Sequence, residues 1–475
     1  MNERAGSITK QVEQPSRTRE NVAKMSAYRF VHLSDIHFGQ ERDGTLAKHE
    51  DVREELLADC ESLRQKVGVA NGVLVTGDIA YSGKKEEYGH AGEFLDRLTA
   101  AIGCKRNSVL VIPGNHDIDL DGIDYTAKML HEKLRTQSPA QIQADLEGLA
   151  QSNSDEHPLH RKLKTYQEFA EQYGCDFESP GRPLWQKDFP LGGGHILRFV
   201  GLNSVQVSNK TDAKPLMVLG NTQFTIPREP NIEYIVMIHH PLEWFRDRGQ
   251  AEEYLYSRSR VLMFGHEHLA NINKNVDGNN YERLVIDSGA TNPPGTSSEY
   301  RYTYNWIDFS VGASGGAYQL SVRVFPRVWV QARTTFTADS TRMALDERES
   351  KEFILACTQF RAPLAQATAP ADSGSSPARA GSKGDISMDN EEEHFARLRF
   401  YFWRYLDWRQ RLRVLVQADV LPNTADRPVP QMMERLALST ARSQGKLAVI
   451  WDSVMTFVPD GKREANPFPA AKAKD

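Results

Sequence analysis

The chain has 475 residues, 40% hydrophobic and 25% charged, an ordinary balance for a globular protein. One hydrophobic core serves roughly 250 to 300 residues, so one large domain with appendages is expected. A net charge of -5 excludes a globally basic binder of nucleic acid or acidic membranes and leaves only a local basic patch open.

Residues 1–27 are polar and aperiodic, read as a disordered leader. They hold no apolar signal core, and no stretch of the chain reaches the roughly 18 unbroken apolar residues of a membrane span. A cytoplasmic protein with no membrane partner is expected. Cys60, Cys104, Cys175 and Cys357 lie far apart without a C-x-x-C pair, a spacing that suggests neither a disulfide framework nor a thiolate zinc site.

From Tyr28 short β-rich runs end in polar clusters: "YRFVHL" before "SDIH", "GVLVT" before "GDIAYSG", and "SVLVI" before "PGNHD". Between them "KHEDVREELLADCESLRQKV" and "KKEEYGHAGEFLDRLTAAIG" carry apolar residues at helical spacing. This alternation predicts a layered α/β core. Residues 121–190 interrupt it with a mostly helical insertion, placed to act as a lid over the loop before it, in which Ser138 can cap a helix and Pro139 can open it. Strand-like runs resume with "EYIVMI" before "HHP" and "RVLMF" before "GHEH". The late alternating runs "YNWIDFSV" and "LSVRVF" follow no helix and favour antiparallel pairing.

The Ala-, Pro-, Ser- and Gly-rich segment 361–391 reads as a flexible linker. Residues 392–460 form a small helical module, and 461–475 a disordered tail. Within the module, Leu398, Phe402, Tyr405, Trp408 and Leu412 make one helical stripe, with an arginine-rich outer face opposite. A nucleic-acid tether remains the alternative use of those arginines.

Loops leaving the carboxyl ends of strands in an α/β sheet converge on one crevice. Five such loops carry Asp35 and His37; Asp78; Asn115, His116 and Asp117; His239 and His240; and His266 and His268. Carboxylate, amide oxygen and imidazole together suit borderline divalent ions such as Mn, Fe or Zn. The group is large enough for two ions, and two cations about 3.5 to 4 Å apart need an anion between them. Asp78, alone on its loop, is the natural bridge.

The ordered set D-x-H, G-D, G-N-H-D, H and G-H-x-H, from about Tyr28 to Arg333, resembles the calcineurin-like metallophosphoesterases. That resemblance implies a four-layer α/β/β/α sandwich over residues 28–335 and a dinuclear centre of Mn or Fe, with Zn as a further choice. It assigns Asp35, His37 and His268 to one metal, Asn115, His239 and His266 to the other, and Asp78 to both. It makes His116 the catalytic residue, steadied by Asp117. The expected reaction is hydrolysis of a phosphoester, a nucleotide-type phosphodiester ahead of a phosphomonoester or nucleic acid; a non-catalytic scaffold is the reading from another class. His240 and Glu267 are read as supporting residues, and Arg246 and Arg248 as solvated. The C-terminal module weakly resembles adaptor domains of bacterial signalling and conflict systems, implying a protein partner.

Overall fold

The computed structural model describes residues 26–40, 46–150, 157–278, 280–293, 301–314, 317–358, 385–423 and 427–468. Nearly all of the leader, most of the linker and the end of the tail lie outside them.

The chain opens with β1 (Ala27–Leu33), α1 (Leu46–Val67), β2 (Gly72–Val75), α2 (Lys85–Ile102) and β3 (Val109–Val111). The insertion supplies α3 (Tyr125–Thr136), α4 (Pro139–Ala150) and α5 (Lys164–Gln172). Then come β4 (Leu184–Gly192), β5 (His195–Leu202), α6 (Asn221–Phe224), β6 (Ile232–Met237), α7 (Arg248–Tyr256), β7 (Ser259–Phe264), β8 (Asn271–Val276) and β9 (Glu282–Asp287). A long hairpin, β10 (Thr303–Ser314) and β11 (Ala317–Val330), precedes β12 (Thr335–Ala338) and β13 (Lys351–Ala356). The C-terminal helices are α8 (Asp385–Tyr405), α9 (Trp408–Gln417), α10 (Gln431–Ser443) and α11 (Leu447–Met455).

Two sheets stack. The first runs β12-β11-β10-β1-β2-β3 with β13 on β11, and the second runs β4-β5-β6-β7-β9-β8. Strands β1 to β3 are mutually parallel, as are β5, β6, β7 and β9, while β10 to β13 add the expected antiparallel part. Side-chain alternation explains the layering. In the second sheet Leu197, Phe199, Ile235, Met237, Val261 and Met263 join the core shared with the first sheet. Their neighbours Val200, Val236, Leu262 and Phe264 enter a separate core with α3, α4, α6 and α7. Between the sheets Phe30 meets Phe189, Phe199 and Phe309 edge-on at 5.3, 5.1 and 6.2 Å, each such ring contributing about 1.5 to 3 kcal/mol by burial.

Several expected boundaries move. The first sheet continues past residue 335 to Ala356, and the end of the 121–190 insertion is the edge strand β4. Helix α8 starts at Asp385, so residues 385–391 of the expected linker are helical. The tail packs as far as Phe468: Tyr401 donates to Glu464 at 2.7 Å, and Phe468 lies on Trp451. Helices α8 and α9 break the expected stripe between Tyr405 and Trp408, because Asp407 caps α9 in a reciprocal pair with Gln410.

Part of the arginine face turns inward, although Arg409 and Arg413 are exposed as expected. Arg399 donates to Glu171 and Asp176 at 2.5 Å each, and Arg435 reaches the same acids at 2.9 and 2.7 Å. Arg404 lies so close over α2 that a Cβ added to Gly92 would stand 1.3 Å from its guanidinium. The module is thereby docked on α5 and α2. Its acidic partners sit more than two hundred residues upstream, where helical spacing within 392–460 carries no trace of them.

Candidate metal centre

Because β1, β2, β3, β6 and β7 run in register-matched parallel sets, their carboxyl ends share one rim, and the five polar loops leave from it. The turns there are sharp. Asp35, His37, Asp78, His266 and His268 all hold positive φ between 52° and 69°, half of the ten non-glycine residues that do so among those described. Such backbone costs of order 1 to 3 kcal/mol per residue and persists where the surroundings over-determine it. Glycine relieves the crowding once more: a Cβ on Gly114 would lie 2.2 Å from Asp78 Oδ1.

The side chains converge as two sets. Asp35, His37 and His268 present donor atoms within 4.8 Å of one another, and His268 Nε2 lies 3.0 Å from Asp35 Oδ1. Asn115 Oδ1 stands 3.1 Å from His239 Nε2 and 2.9 Å from His266 Nδ1. Asp78 lies between the sets, its Oδ2 at 3.1 Å from His37 Nε2 and 3.4 Å from His239 Nε2. The outer ring nitrogens are tied back, His37 Nδ1 to the carbonyl of Asn292 at 3.3 Å and His239 Nδ1 to that of Thr76 at 2.7 Å. Those carbonyls turn Nε2 of each ring inward.

Asp35 and Asp78 are completely or almost completely buried. Burial opposes their ionisation, yet neighbouring imidazoles hold both below the usual carboxylate range, Asp78 well below. Burial likewise opposes protonation of His239, but Asp78 and Asp35 push it up to about 9. The cluster thus draws in positive charge. Its two anions, one amide oxygen and four imidazoles are a donor set that fits borderline divalent cations in place of protons.

Of the pair His116 and Asp117, Asp117 departs from expectation. His116 Nδ1 donates to the carbonyl of Tyr81 at 2.9 Å, its ring stacks on Tyr81 at 5.0 Å, and its amide donates to Asp78 Oδ1 at 2.8 Å. The expected bond from Asp117 to His116 is not formed. Asp117 accepts from the amides of Ile79, Ala80 and Gly114 at 2.9 to 3.2 Å and from the Tyr88 hydroxyl at 3.0 Å. A carboxylate surrounded by amide donors turns toward them, so Asp117 knits two loops together. Burial and the charge of Asp78 push it up to about 6.

His240 is closer in than strand alternation suggested, with a ring nitrogen within 4.8 Å of those of His239 and His266 and its Nδ1 on Ser204. The strand ends at Met237, so alternation no longer applies there. Glu267 accepts from Trp244, whose ring packs on His266. Arg246 is not solvated but donates to the carbonyl of Gln137 in the insertion. Arg248 faces out, beside Glu252. The insertion is anchored by buried Arg135 on the carbonyl of Val207 and buried Lys162 on those of Gln206 and Ser208. Sequence reading overlooked Trp244 and Asn292, whose contributions have no motif; Tyr81 lay in view within "GDIAYSG".

The sequence model of the calcineurin-like phosphoesterases matches residues 28–270, half of the chain. The chain belongs to the calcineurin-like phosphoesterase family. A GTPase-associated adaptor domain model matches residues 394–456. An uncharacterized metallophosphoesterase-like protein, YydB, of Bacillus subtilis is 35% identical over 94 residues, which are 20% of this chain and 18% of that protein. Among solved structures, a 5'-nucleotidase precursor of Thermus thermophilus is 12% identical, with a TM-score of 0.31 over 70% of this chain and 55% of that one. Haemophilus influenzae NAD nucleotidase is 14% identical, TM-score 0.32, over 69% and 55%. Purple acid phosphatase PPD1 of yellow lupin is 12% identical, TM-score 0.35, over 70% and 54%. The chain spans about half the length of these structures and under a fifth of the Bacillus relative. Among the described residues, no helix of this phosphoesterase is long and apolar enough to cross a membrane.

Proposed function

We propose that this protein hydrolyses a phosphoester, of the nucleotide-type phosphodiester class, at a dinuclear divalent metal centre. Asp35, His37 and His268 would hold one ion, Asn115, His239 and His266 the other, and Asp78 both. The observation that carries this reading is the position of Asp78 Oδ2 between His37 Nε2 and His239 Nε2, one imidazole from each set. When bound, a pair of ions such as Mn or Fe, or alternatively Zn, supplies charge neutralisation for a phosphoryl group and a nucleophile at neutral pH.

The chain's own residues do the rest. With Nδ1 donating to Tyr81, His116 turns Nε2 away from that carbonyl and carries a proton there only as an imidazolium. We assign it to protonating the leaving oxygen, a general-acid contribution of roughly 10² to 10⁴. Asp117 holds the loop that presents Asn115 and His116. A reducing compartment such as the cytoplasm fits the four free cysteines.

The adaptor-like module supports a protein partner. Met432, Met433 and Leu436, neighbours at helical spacing on α10, are 44 to 59% exposed, a small apolar patch on the module.

The test is hydrolysis of bis(p-nitrophenyl) phosphate and p-nitrophenyl phosphate by metal-stripped protein, with single metals restored. Diester turnover that returns with Mn or Fe and disappears in Asp78→Ala is the expected result. A strong monoester preference would replace the diester reading, and turnover undiminished in Asp78→Ala would remove the enzyme assignment.

A further inference from the structure

A second cluster of metal-binding side chains lies at the opposite end of the sandwich. His195 opens β5, Glu233 is the second residue of β6, and Cys357 follows β13. The first two belong to the second sheet, at the amino ends of its parallel strands, while Cys357 hangs from the first, its amide on the carbonyl of Tyr318. One donor atom from each lies within 4.8 Å of the others, and the residues are 4%, 0% and 4% exposed. A polar trio of this kind is out of place between two sheets, where alternation puts apolar side chains such as Leu197, Ile235 and Leu355.

The hydrogen bonds show what is missing. Glu233 accepts from the amide of Thr358 at 2.7 Å, its hydroxyl at 3.2 Å and Arg260 Nε at 3.3 Å, and the Cys357 thiol bonds to the same carboxylate. His195 Nδ1 is buried with no hydrogen-bond partner, and a buried polar atom left unpaired costs about 1 to 3 kcal/mol.

We infer that His195, Glu233 and Cys357 form a zinc-class metal site that joins the two sheets at the root of the linker. Thiolate, imidazole and carboxylate together are the donor set of zinc rather than of magnesium or calcium. As the metal–sulfur bond forms the S–H bond breaks, and the proton leaves to solvent. Arg260 already balances Glu233, so the thiolate is the anion that the cation brings into being. Three protein donors leave a position for water. Spacing along the chain concealed the site because its ligands come from three separate strands.

The test uses the full-length protein, stripped of metal and titrated with Co(II). None of the residues proposed for the dinuclear centre carries a thiol, so a sulfur-to-cobalt charge-transfer band cannot come from that centre and owes nothing to hydrolysis, and Cys357→Ser separates this site from the other free thiols, Cys60, Cys104 and Cys175. The expected result is such a band in the wild type, its loss in Cys357→Ser and His195→Ala, and one zinc equivalent more in the wild type than in either variant. A wild type without the band overturns the inference, whatever the variants' folding, as does a band that survives Cys357→Ser.

Discussion

At the residue scale, the loops after the strands were legible because clustered histidines behind apolar runs have no packing purpose. What each residue does was less so. Asp117 follows His116 in the chain, yet its carboxylate is claimed by three backbone amides and Tyr88. Backbone donors leave no mark in a sequence. His116→Ala is expected to lower turnover by about 10² to 10⁴ with the metal content unchanged; metal loss in that variant would make His116 a ligand instead. A separate prediction concerns His131, fully buried, whose two ring nitrogens lack partners. Burial first, then Lys162 and Arg135, push it down to about 2 from an ordinary 6.5. The unfolded chain therefore takes up a proton that the folded chain refuses, and stability falls as pH drops below 6.5 toward 2. His131→Leu should remove up to about 1.4 kcal/mol per pH unit of that slope, read from urea unfolding at pH 7 and pH 5. An unchanged slope would mean that His131 is protonated in the native state.

Among the elements, the sandwich followed from alternation that the strands display openly, whereas the resting place of the C-terminal helices did not. An arginine at every few positions reads as a solvated face until Glu171 and Asp176 are known to lie opposite. Removing Arg399 leaves Glu171 and Asp176 to Arg435 alone, a partial loss of a buried network whose complete rupture costs about 3 to 5 kcal/mol. Arg399→Ala should accordingly speed proteolytic release of residues 385–468 while the proposed hydrolysis at the rim of residues 28–270 persists. Gly92→Leu should act similarly by pushing Arg404 off α2. Equal protease resistance in wild type and both variants would show that the contacts of α5 and α2 do not hold the module.

For the whole molecule, the concentration of buried acid at one rim should, on the proposed function, make stability a function of metal. Ligand at a hundredfold over its Kd adds about 2.7 kcal/mol. Restoring Mn or Fe to stripped protein should raise Tm by several degrees, and Asp78→Ala should abolish most of the rise. A melting temperature indifferent to metal, with two ions bound, would contradict this.

The docking of α8 on α5 has a consequence for reach. A module on a free tether meets its partner's substrate at an effective concentration set by linker length. Here the linker's length sets nothing, because α8 is fixed on the same α5 whose Phe169 packs on Tyr88, the residue that holds Asp117. A protein bound at the apolar patch of α10, as proposed, would take a fixed bearing on the rim that carries Asp78: it would be aimed rather than merely kept nearby.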